Sequence, residues 1–541
     1  MSEQLAGDEL APDDPELRVA TGYFRLGAYE HNQRNVRGQW ADILNEITDV
    51  TGDVFLGLSM GCARCHDHKF DPILQTDYYR LQAFFTPLLP REDLTLANSR
   101  QWAEYQEKRE SWEQAAAQIL RQIDEIERPF RDKGTATAFA KFPDDIKDIL
   151  NRPETDRMLL DRQLGALAYR QITEEHGKVP SLIKGDIKAK WDELHKALKN
   201  YDVTRPVPPT PVMTVTDLGP VSPPTIVPGS RKNDPIEPGY LSLLDPRPAR
   251  IESSPAAPQS TGRRLALARW LSRPGNPLST RVIVNRVWQY HFGRGLAGTS
   301  SDFGRMGEPP SHPELLDWLV AEFVARGWQL KPLHRLILTS STYRQTSERN
   351  PHDLALGQRI DPENRLLWKR SIERLDAEEI RDAMLAVSGE LDPVIAGPSV
   401  PTSRPRRTVF TRVVRNTRDQ FLEAFDAPDG NSTTPRRNTT TAATQALLLI
   451  NGDWTLARAK AVATRLEPSS TDASDRIVLA YRLALGRRPE PGEIADGLSF
   501  VKQQATRLTP SAQRSDLQAS HEALVDFCHV LLNSNEFLYV D

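Results

Sequence analysis

The densest chemistry in the sequence lies in Gly61-Cys62-Ala63-Arg64-Cys65-His66-Asp67-His68. Cys62 to His66 fit C-x-x-C-H, in which two sulfurs separated by two residues reach one porphyrin edge as thioethers and the adjacent imidazole ligates the iron. Read so, Cys62 and Cys65 attach a haem c and His66 is the proximal ligand. Two other readings stay open. Cys62, Cys65, His66 and His68 are also soft ligands close together, a zinc or iron site, although adjacent ligands strain a tetrahedron and a fourth ligand from elsewhere fits better. The third is a reduced turn whose thiols are buried or redox active and hold nothing.

Asp67 to Pro72 extend the cluster. In the haem reading a carbonyl near Pro72 accepts the His66 N–H and fixes its tautomer, and Phe70 covers the ring; the plain alternative is a charged, exposed loop. Met60 is too near in sequence to serve as a sixth ligand. Met306, His291, His312 and His334 lie in segments able to approach, each more often packed or solvated than ligating. Cys528 sits in an apolar helical run and reads as core. Arg286, Gln289 and His291 at one helix end, followed by the glycine- and proline-punctuated loop Ser301 to His312, either shape a polar cleft or cap a helix. Arg436 and Arg437 before an apolar helix either bind an anion or flank an N-cap as solvated arginines.

These groups need elements to hold them. The chain has 541 residues, 69 Lys and Arg against 73 Asp and Glu, and three cysteines. That length implies several domains with ample core, and a near-neutral balance gives no field to hold nucleic acid. No stretch reaches the roughly 18 apolar residues of a membrane span. Three cysteines cannot build a disulfide scaffold. The apolar run Val54 to Leu58 leads into the cysteine cluster, and Tyr78, Leu81, Phe84 and Phe85 predict a short amphipathic helix after it. Apolar residues from Trp102 to Ile126, interrupted at Arg109, predict one long helix. Ile183, Ile187, Trp191, Leu194 and Leu198 form a second stripe able to pack antiparallel against it. Residues 203–259 hold 14 of the 41 prolines, so they read as an extended connector with one strand at Val212 to Thr216 and a docking segment at Tyr240 to Leu244. Beyond Thr261 helical periodicity dominates. The expectation is a mainly α, multi-domain protein: residues 1–90 with the cysteine cluster, a helical hairpin arm at 91–202, a Pro-rich connector at 203–260 and a helical domain at 261–541. The arm and connector also fit a non-catalytic assembly or carbohydrate-surface binding protein.

GCARCHDHKFDPILQTDYYRLQAFF (Gly61 to Phe85), NPLSTRVIVNRVWQYHFGRGL, SDFGRMGEPPSHPELLDWL, RRNTTTAATQALLLIN and FCHVLLNSNEFLYV (Phe527 to Val540) together resemble the planctomycete cytochrome-associated proteins. This is a family of paired domains of unknown function, often preceded by a small cytochrome c domain. The resemblance spans residues 19–90 and 261–541 and implies haem binding at Cys62, Cys65 and His66, a helical second domain, and export from the cytoplasm. It begins mid-domain, and the acidic start Met1 to Glu16 lacks the basic and apolar stretches of a secretory signal, which reads as a truncated gene or fragment. The expected function is electron transfer or haem-linked oxidoreduction in the periplasm or another exported location, with substrate, redox partner and oligomeric state undetermined by sequence.

Overall fold

Helices whose apolar positions recur at three- and four-residue spacing make up most of the chain, and the computed structural model is mainly α, as that periodicity predicts. It describes residues 1–30, 34–231, 234–470, 472–508 and 515–540. Strand among the described residues is confined to two short antiparallel pairs. The chain divides into two compact units, Met1–Arg286 with Ala297–Trp328, and Val287–Leu296 with Gln329–Asp541. Much of 261–328, read from sequence as the start of the carboxy-terminal helical domain, therefore sits in the first unit.

In the first unit, α1 (Ser2–Leu10) buries Leu5 and Ala6. Helix α2 (Val36–Thr51) buries Trp40, Leu44 and Ile47 along one face, and its start is capped by the Asn35 side chain, which accepts from the Gly38 N–H at 2.9 Å. The chain leaves α2 through a wide helical turn and stops at Gly57, where φ is +60°. A Cβ there would lie 2.8 Å from both Phe303 and Val282, so the position requires glycine for two reasons. The Phe303 N–H donates to the Gly57 carbonyl at 2.7 Å, which holds the loop from Ser301 next to the approach to the cysteines. After the cysteine turn comes α3 (Gln75–Gln82), with Tyr78, Tyr79 and Leu81 buried.

The expected long helix across Trp102 to Ile126 is two, α4 (Ser99–Ala115) and α5 (Ala117–Ala140), broken at Ala116 (φ −95°, ψ 6°). Neither glycine nor proline marks the break; Ala116 packs in a small cluster with Trp112, Ile123 and Leu198. Arg109, the gap in the stripe, faces solvent and pairs with Glu113 at 2.7 Å. Helix α6 (Leu159–His176) was not read from the sequence. Its Leu164, Leu167 and Ile172, with Ile146 and Ile149 just before, join the main core of the unit, so residues 91–202 are more than a hairpin. Helix α7 (Gly185–Leu198) brings Trp191 and Leu194 onto the Trp112 cluster, and Trp191 Nε1 donates to Glu127 at 3.0 Å.

The proline-rich stretch docks on the same unit. Strand β1 (Leu88–Arg91) pairs antiparallel with β2 (Thr214–Asp217), Leu88 opposite Asp217. The strand begins two residues later than the alternation predicts, and just before it the Val212 N–H bonds the Leu94 carbonyl outside the ladder. Tyr240 stacks on Trp270 at 4.5 Å. Trp270 belongs to α8 (Arg263–Leu271), which also carries Arg264, fully buried and paired with Asp8 at 2.6 Å, Glu9 at 3.3 Å and Asp217 at 3.0 Å. One residue thus joins the amino-terminal helix, β2 and α8.

In the second unit, helices Ala377–Ser388, Asp453–Leu466, Ala473–Leu485 and Asp516–Leu532 surround a core that includes Ile380, Val462, Ile477 and Phe527. Cys528 belongs to it, and burial pushes its thiol up to about 12. Among the described residues no helix is long and apolar enough to cross a membrane.

Candidate functional site

The turn at Gly61–Arg64 is a single 3-10 turn, in which the Ala63 N–H bonds the Met60 carbonyl at 2.9 Å. Met60 and Ala63 are fully buried beneath it. With those two side chains inward, Cys62, Cys65 and His66 all face solvent, and both thiols are free. His66 Nδ1 lies 2.7 Å from the Asp67 carbonyl. A carbonyl only accepts, so the proton sits on Nδ1 and the Nε2 lone pair is left for a ligand. The acceptor is thus the next residue in the chain, not a carbonyl near Pro72, because the turn already places that group within reach.

His68 is placed differently. Its side chain is mostly buried, and its Nδ1 accepts the Asp71 N–H at 2.9 Å. Among the described residues no three His, Cys, Asp or Glu side chains stand where they could hold a metal ion, so Cys62, Cys65, His66 and His68 are not gathered as a four-ligand set. Phe70 is half exposed and sets its ring edge against His68, 6.5 Å between centroids, with Lys69 Nζ 5.1 Å above the ring.

The turn is tied down on both sides. The Gln75 N–H donates to Asp67 at 2.8 Å, and the Tyr79 hydroxyl and Gln75 side chain both donate to the Arg64 carbonyl. Asp71 accepts the Arg305 N–H at 2.7 Å, a bond across 234 residues. Arg286 donates to the Asp53 carbonyl at 3.1 Å and the Ser301 hydroxyl at 3.0 Å. Burial pushes the Asp53 carboxyl up to about 6, with the Asp49 and Asp302 carboxylates adding and Arg286 opposing. Burial also raises Asp49, beside Gly61. Sequence reasoning passed over Asp49 and Asp53 because neither belongs to a motif.

The other sequence candidates part company. Asn285 exchanges hydrogen bonds with the Ala297 backbone, and Arg286 reaches Ser301, so these two motifs do meet in the first unit. In the second unit Gln289 donates to the Pro435 carbonyl, and His291 Nε2 lies 2.8 Å from His334 Nδ1, each imidazole occupying the other. His312 lies 3.0 Å from the Ser311 hydroxyl, Met306 is exposed, and Met60 is core. Arg437 is partly exposed and forms a bidentate pair with Glu378 at 2.5 and 2.9 Å, Arg436 is exposed, and the following helix begins after Ala442.

Two accessible thiols and an imidazole with its Nε2 unencumbered are the donor set a covalently held haem needs, so the residues present fit that group. A family model described as PSCyt2, a protein of unknown function (DUF1549), matches residues 1–89, and one described as PSD1, a protein of unknown function (DUF1553), matches residues 263–501. Two regions of the chain are thus similar to this pair of domains of unknown function, and the C-x-x-C-H turn lies in the first. No curated protein and no solved structure matches it.

Proposed function

We propose that the protein is an exported c-type haem protein, with Cys62 and Cys65 as the thioether positions and His66 as the axial ligand. The observation that carries the reading is the His66 geometry: Nδ1 held by the Asp67 carbonyl at 2.7 Å and Nε2 left open beside two free, exposed thiols. When bound, the haem supplies one-electron chemistry whose potential the surrounding charges and hydrogen bonds set. The protein's own part is to keep the imidazole in one tautomer through Asp67 and to brace the turn through Asp71 and Arg305. The role we assign is electron transfer or haem-linked oxidoreduction with a redox partner, within the cytochrome-associated family the motifs resemble. Such haem is attached outside the cytoplasm, which fits an exported protein.

The test is expression in a host with export and c-type haem maturation. Haem absorption that survives denaturation, with a mass increased by one haem and lost in Cys62→Ser, Cys65→Ser, is the expected result. Colourless protein of unmodified mass from that host refutes the assignment.

A further inference from the structure

Cys65 also faces a cleft of about 650 Å³ in the first unit. Its walls come from α2, α3, α6 and the proline-rich stretch, with Leu44, Leu160, Leu164 and Ile226 supplying much of the apolar surface. A cavity of this size, apolar with a few convergent polar groups, has the form of a small-molecule site. Its charge is one-sided. Arg64 and Arg37 line it, while no carboxylate among the described residues does. Arg37 is already matched by Asp145 at 2.6 Å. Arg64 stands at the Cys65 end, and the neighbouring Tyr78, Asp49 and Cys65 groups favour its charged form. Arginine in this position pairs with a carboxylate more readily than with any neutral group.

We propose that this cleft binds a ligand with an apolar body and a carboxylate, the carboxylate on Arg64 and the body against Leu160, Leu164 and Ile226. The inference goes beyond the haem reading and does not require it. One chemistry has two sources here: the propionates of a porphyrin held at Cys65, or a free aromatic or branched carboxylate.

The experiment titrates the haem-free full chain with 2-naphthoate by calorimetry. One saturable site is expected, weakened about tenfold or more by Arg64→Gln, which removes a charge-assisted bond, and similarly by Leu160→Asp. Both positions are accessible, and unchanged melting temperatures show that the variants fold. Absence of saturable binding, or binding that both folded variants leave unchanged, overturns the proposal. Haem-loaded protein separates the sources: naphthoate excluded by loading assigns the site to porphyrin carboxylates, and naphthoate still bound assigns it to a free one. Protein that never accepts haem yet binds naphthoate through Arg64 keeps the cleft and discards the haem reading.

Discussion

The cysteine turn and the ion cluster around Arg264 lie in the same unit and treat polar side chains in opposite ways. In the turn, Cys62, Cys65 and His66 stay in solvent and take their geometry from bonds to adjacent backbone, above all Asp67. Around Arg264 the charges are out of water, and its acidic partners come from distant segments: Asp8 and Glu9 near the start of the chain, and Asp217 in β2, whose carboxylate also accepts from the hydroxyls of Ser260 and Thr261 just before α8. A buried charge is tolerated only when all its partners are present, so the cluster makes assembly all-or-none, whereas an exposed reactive turn asks little of the fold. The part of the molecule that could do chemistry and the part that holds it together are thus separate.

That separation can be broken at its strongest point first. Arg264→Ala leaves Asp8, Glu9 and Asp217 in the interior without their cation, and should destabilise the protein by about 3–5 kcal/mol in urea unfolding. A loss below about 1 kcal/mol would show that the cluster is not holding the three segments. A smaller effect is expected from pH. Burial, with help from Asp217 and Asp8 and against Arg264, pushes Glu9 up to about 7 from its ordinary 4.5. Between those values the folded protein keeps a proton that the unfolded chain releases. The Glu9 contribution is therefore complete below about 4.5 and is lost as pH rises through about 7. Unfolding free energies measured across that window should fall with pH in the parent and fall less steeply in Glu9→Gln; equal slopes would remove Glu9 from the account. The smallest effect belongs to the turn. Cys62→Ser, Cys65→Ser in haem-free protein should change stability by no more than about 0.5 kcal/mol, since both side chains are exposed. A drop of about 2 kcal/mol or more would mean that the thiols are structural, and the contrast with Arg264 would collapse.

Legibility in the sequence followed the distance over which each contact acts. The short helix predicted from Tyr78, Leu81, Phe84 and Phe85 formed but ends at Gln82, with Phe84 and Phe85 buried in the turn after it, and the helical periodicity beyond Thr261 is realised in helices such as Ala473–Leu485. The break at Ala116 was not legible, because no breaker residue marks it and its neighbours in the buried cluster include Leu198 from another helix. Helix α6 was not legible, because its buried face mixes Leu164, Leu167 and Ile172 with Gln163 and Gln171, and the Gln163 side chain finds its acceptors only in the distant Thr86 and Leu88 carbonyls. At the site, the nearness of Cys62, Cys65 and His66 was plain from C-x-x-C-H alone. The brace from Arg305 to Asp71 could not be read, being one backbone N–H on one carboxylate across 234 residues. Nor could the pairing of Arg437 with Glu378, which commits one of the two arginines to an ion pair with a helix 59 residues earlier.

By itself the sequence determined the mainly α character of the chain and the clustering of two thiols and an imidazole in one turn, because both depend on neighbours a few residues apart. Tertiary structure alone decided which of those side chains face solvent and that Cys65 opens onto a cleft with arginine and no carboxylate in its lining. Those outcomes depend on which buried groups must be satisfied by partners far along the chain, and only folding brings the partners together.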